Sequence, residues 1–194
     1  MSSLEPEFSP LRYGPGDKPL RPLQIIQAAM GNGVVLFAAV VCFLSRQEHV
    51  ARAEAEKPND LLRSLCLLNA GVFCLCVLIA AVVPPLAVNM GALFRRAASA
   101  SGEGSPGQLA VAFMQKFFKA KMLRLAPLEG SAMMGLVACL IPALDGTLAQ
   151  NLIYWYNAAP AAVFLAYVIV SFPTAGRIEK LFAAELARAR SGLA

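Results

Sequence analysis

Four long apolar runs, at residues 23–44, 65–90, 127–144 and 152–172, alternate with short polar stretches along the chain. Each is too long for a buried strand and apolar around its whole circumference. That pattern predicts helices in a hydrocarbon solvent rather than amphipathic helices around an aqueous core. The first run, 22 residues long, would rise ~33 Å, enough to cross a hydrocarbon layer of ~30 Å. The expected fold is therefore an all-α membrane protein with four transmembrane helices.

Two weaker patterns flank the spans. Residues 109–124 place Gln115, Lys116 and Lys119 on one arc, with Phe113, Met114, Phe117 and Phe118 filling much of the remainder. This predicts an interfacial helix before the third span. Ile178, Leu181, Phe182 and Leu186 share a face in 173–194, with Glu185 as a blemish in the stripe, and predict a short C-terminal amphipathic surface helix. Residues 1–22 are polar and rich in Pro and Gly and predict an irregular tail. The stretch 97–108, rich in Gly and Ser, predicts a linker. The chain then divides into the tail 1–22, a four-helix bundle 23–172 and the terminal helix 173–194.

Punctuation inside the runs predicts local departures. Pro84-Pro85 removes two backbone donors and predicts a kink or an end in the second span. Tyr154, Trp155 and Tyr156 begin the fourth span; with Lys116 and Lys119 they are the expected anchors at the membrane–water boundary. Asn69 and Asn89 are also read as boundary residues, and Gln24 and Gln27 are placed at the interface end of the first span. Small residues predict close helix packing: Ala29 with Gly33 in the first span, and Ser131, Gly135 and Cys139 in the third.

Composition narrows the function classes. The chain is 58% hydrophobic, with mean hydropathy +0.60, and only 15% of its residues are charged. The net charge of +5 is read as membrane orientation rather than as a nucleic-acid surface. On one side, the N-terminal tail, second loop and C-terminal tail carry 13 Lys and Arg residues, against 4 on the other. The positive-inside rule then puts both termini in the cytoplasm. All five cysteines lie in apolar runs, where they read as small buried hydrophobes rather than a disulfide framework or a metal site. The single histidine, His49, is one ligand short of a bis-His haem. With no Ser/His/Asp set, metal-ligand cluster or phosphate-binding glycine loop, no catalytic residue, metal or cofactor is expected.

Glu129 is the one acidic residue within a strongly apolar run. A charge at the bilayer centre costs at least ~2.5–3.5 kcal/mol, which makes it a functional candidate. One reading puts it in the first turn of a helix begun by Pro127, where the unpaired N–H groups stabilise a carboxylate and Arg124 is a nearby counter-ion, unless the helix runs unbroken from Met122, which sets Glu129 ~10 Å into it. The other groups Glu129 with Asn32 and Ser131 in a polar cluster between the first and third spans that binds a cation or proton.

The segments "LQII" at 23–26, "LRLAPLEG" at 123–130 and "FPTAGRIE" at 172–179 resemble a family of small four-span bacterial membrane proteins. That resemblance implies a four-helix fold and no particular activity. Locally, Glu129 stands six residues before Gly135-Leu136, similar to the ion-binding helix of the V-type ATPase proteolipid. The glycine-rich partner helix of such a hairpin has no counterpart here. Two functions are therefore expected in competition. One is a non-catalytic scaffold or accessory subunit of an inner-membrane complex. The other is a proton- or cation-conducting element centred on Glu129. The expected partners are lipid, other membrane-protein subunits or a second copy of the chain.

Overall fold

A computed structural model describes residues 20–46, 60–87, 106–144, 146–149 and 151–191. In chain order these form α1 (Leu20–Arg46), α2 (Asp60–Ala87), α3 (Pro106–Leu144), a 3-10 segment (Leu152–Ala158), α4 (Ala159–Val170) and α5 (Ala175–Ser191). There is no strand among the described residues. Among the described residues, four stretches are long and apolar enough to cross a membrane: Leu20–Arg46, Asp60–Leu86, Ala110–Leu144 and Leu152–Val170. The all-helical, four-span architecture is thus the one the apolar runs predict.

The boundaries follow from local chemistry. Pro22 falls in the first turn of α1, where its missing N–H costs nothing. Pro84 and Pro85 are tolerated within α2, which ends at Ala87, two residues beyond them. The terminus of α3 is closed by Gly146, whose φ of 74° few other residues adopt readily. Leu148 N–H and the Thr147 hydroxyl both donate to the Pro142 carbonyl, at 2.9 and 3.2 Å. Of the predicted boundary residues, Asn89 lies outside the described residues, as do residues 1–19 of the tail and all of the Gly/Ser linker except its last three residues.

Two features differ from the expected elements. The amphipathic stretch and the third span form one continuous helix of 39 residues, ~58 Å long and nearly twice the hydrocarbon thickness. Pro127 therefore sits inside a helix, where it gives no N–H to the Leu123 carbonyl, rather than at a first turn. The fourth span begins as a 7-residue 3-10 segment and continues for 12 residues as α4. At ~2.0 Å per residue in the first part and ~1.5 Å in the second, it reaches ~32 Å, where an α-helix of the same length would rise ~28 Å.

The chain separates into two compact units. One takes in the described parts of 1–26, 82–123 and 172–194. Its core joins Leu20 to Ala110, Phe113 and Met114 of α3 and to Ile178 and Phe182 of α5. The Phe113 ring meets Phe182 edge-on at 5.3 Å and stacks with Phe117 at 6.1 Å. The apolar faces predicted for the interfacial and C-terminal helices thus cover each other in part, which leaves Gln115, Lys119 and Leu181 exposed. Gln24 of this unit donates to the Pro173 carbonyl at 2.8 Å.

The other unit takes in 27–81 and 124–171. Val41, Leu62, Cys139, Ala143, Leu148 and Tyr154 form an apolar cluster there, with Cys66 and Trp155 packed against it. Tyr154 is buried while Tyr156 is 78% exposed, so the aromatic trio divides between the interior and the surface.

Candidate functional site

The polar chemistry of the second unit is concentrated where α2, α3 and the 3-10 segment meet. Asn69 stands about 14 Å along α2 from Asp60. It is buried, as is Asn157 of the 3-10 segment. Asn69 Nδ2 donates to Asn157 Oδ1 at 3.1 Å and approaches the Asn157 carbonyl at 3.5 Å. Asn157 Nδ2 in turn donates to the Tyr154 carbonyl at 3.1 Å and to Cys66 Sγ at 3.0 Å. The Cys139 thiol donates to the same Tyr154 carbonyl at 3.4 Å. Away from water a primary amide needs partners on both ends, and a second amide can supply them.

Gly135 makes this arrangement possible. A Cβ built on it would run into the Asn157 carbonyl oxygen and would lie 3.4 Å from Asn69 Nδ2. Glycine here lets α3 approach the backbone of the 3-10 segment directly, as small residues do at helix contacts in membranes. Long 3-10 stretches are uncommon, and this one carries Asn157 into the close contact.

A second tie joins α1 to α4. Gln27 is fully buried, and its Nε2 donates to the Val168 carbonyl at 2.8 Å, with the Ser171 hydroxyl at 3.4 Å. Val168 lies in the last turn of α4, where carbonyls have no partner within the helix, so Gln27 acts as a cap supplied by another span. Gly31, one turn further along α1, lies against Val168. Gln27 Oε1 and Asn69 Oδ1 are buried without a hydrogen bond among the described residues.

The residues singled out from the sequence are distributed differently. Ser131, Gly135 and Cys139 are buried along α3, and the Ser131 hydroxyl donates to Leu128 O of its own helix at 2.9 Å. Glu129 is partly exposed, with no hydrogen bond or ion pair among the described residues. Asn32, Ala29 and Gly33 are exposed on α1, and a Cβ on Gly33 would meet open space. No hydrogen bond joins Glu129, Asn32 and Ser131. Because Pro127 is interior to α3, Glu129 does not face the unpaired N–H groups of a helix start. Among the anchors, Lys119 is exposed and Lys116 partly so. The described residues contain no group of three His, Cys, Asp or Glu side chains placed to hold a metal.

By sequence alone Asn69 and Gln27 read as membrane-boundary residues, and Asn157 does not stand out. The available signal was an amide inside an apolar run. Nothing in the sequence indicated that positions 69 and 157 meet. In the comparisons with known proteins, no family model, curated protein or solved structure matches the chain.

Proposed function

We propose that this multi-pass protein is a non-catalytic scaffold or accessory subunit of a bacterial inner-membrane complex. The observation that carries the reading is the use made of amides within the spans: Asn69 is tied to Asn157, and Gln27 to the end of α4. Polar groups used this way fix helices against one another, which is what a rigid membrane platform requires. The excess of Lys and Arg in the terminal tails and second loop supports cytoplasmic termini. The likeness of residues 23–26, 123–130 and 172–179 to small four-span bacterial proteins supports the bacterial setting. The test is affinity purification of the full chain in mild detergent. A stoichiometric membrane-protein partner is expected, and a reproducibly partner-free protein would refute the accessory role.

A second reading, conduction of a proton or cation through Glu129, is favoured by one feature. The carboxylate lies within the apolar part of α3 without a hydrogen bond or ion pair among the described residues. Reconstitution in liposomes loaded with a pH indicator tests it. A flux abolished by Glu129→Gln supports conduction; absence of flux, or a flux unchanged by the substitution, eliminates it.

A further inference from the structure

The two sides of α1 have opposite characters. Gln27, Gly31, Val34 and Val41 are buried within the chain. About half a turn away, Ala29, Asn32, Leu36, Ala39 and Phe43 are all exposed. Their spacing of three, four, three and four residues is a continuous heptad seam, the repeat with which two helices wrap around each other. Leu36 and Phe43 are 68% and 65% exposed. Gly33, beside the seam, would let a second backbone come close, since a Cβ there meets nothing.

Asn32 distinguishes this face from ordinary lipid-facing surface. It lies about 18 Å from the N-terminal end of α1 and about 21 Å from the other, near the middle of the span. Its side chain is exposed and has no hydrogen bond among the described residues. Hydrocarbon supplies neither donor nor acceptor, so an amide at that depth calls for a partner that the described residues do not supply. The outward side of α2, by contrast, offers Leu67, Leu68, Leu75 and Leu78.

We propose that the Ala29–Phe43 face of α1 is the interface of a parallel homodimer, with the two Asn32 amides paired on its two-fold axis. A second copy suits the face for a geometric reason. Copies inserted with the same topology carry Asn32 at the same depth, so the amides meet without any adjustment of register. Each amide then gives one N–H to its twin and accepts one in return. A single Asn in a heptad seam is also known to fix both register and the number of strands. This inference needs α1 to span the membrane but does not depend on whether the protein serves another complex.

The full chain, labelled separately with donor and acceptor dyes and reconstituted in phosphatidylethanolamine–phosphatidylglycerol liposomes, tests it by energy transfer over a range of lipid dilution. The wild type is expected to dimerise. Asn32→Leu should weaken the dimer by about tenfold, and Asn32→Gln should retain most of it. Leu78→Ala, on the outward side of α2, should leave it unchanged. Since Asn32 is exposed and makes no hydrogen bond among the described residues, Asn32→Leu is expected to keep wild-type helicity by circular dichroism. The proposal is overturned by a wild type that stays monomeric, by a dimer equally tight with Asn32→Leu, or by a dimer weakened more by Leu78→Ala. An Asn32→Leu chain that loses helicity would also overturn it, because the side chain would then be needed for folding rather than pairing.

Discussion

Gly135→Ala puts the smallest side chain where α3 meets the 3-10 segment, and its cost can be worked from the contact. The new methyl would overlap the Asn157 carbonyl oxygen. That atom belongs to the backbone, so no side-chain rotation relieves the overlap. Overpacking costs about 1–3 kcal/mol. Moving the segment also disturbs the Asn69–Asn157 bonds, each worth roughly 0.6–1.7 kcal/mol within a membrane. Against this, alanine in a helix gains about 0.5–1 kcal/mol over glycine. The expected net loss is about 2 kcal/mol. Gly130→Ala is the control: it lies in the same helix, and a Cβ there meets nothing, so it should stabilise by about 0.5–1 kcal/mol. Unfolding by sodium dodecyl sulfate in mixed micelles, followed by circular dichroism, measures both. Asn69→Leu should then cost less in the Gly135→Ala background than alone, because residues sharing one contact are not additive. Equal stabilities for Gly135→Ala and Gly130→Ala would refute the close approach. Additive costs would separate it from the amide pair.

Two further substitutions address the remaining ties. Gln27→Leu leaves the Val168 carbonyl buried without its donor and should cost about 1–2 kcal/mol in the same unfolding assay; a neutral result would mean that the last turn of α4 does not need this cap. Phe182→Ala removes the edge-on partner of Phe113 and should destabilise its unit by about 3–5 kcal/mol. Its readout is trypsin cleavage at Arg177 and Lys180 of α5, expected to be much faster than in the wild type; an unchanged digestion rate would show that α5 is held by other means.

The all-helical, four-span character could be read from the sequence because it rests on apolarity summed over about 20 residues. A bilayer admits few ways to satisfy the backbone of such a run. Gly146 could be read as punctuation for the same reason: its constraint is local. Tertiary structure decided which way each polar residue looks. A helix apolar on every side has no phase in its hydrophobic pattern to separate an inward position from an outward one. Asn69 and Gln27, which resembled boundary residues, are buried and bonded across helices, whereas Asn32, which resembled an internal contact, faces outward. Pro127 was equally ambiguous, since a proline can open a helix or lie within one, and only the path of α3 distinguished the two. Hydrophobicity determined that these segments cross oil; rotation about each helix axis, set by contacts such as Gly135 with Asn157, decided which side chains meet.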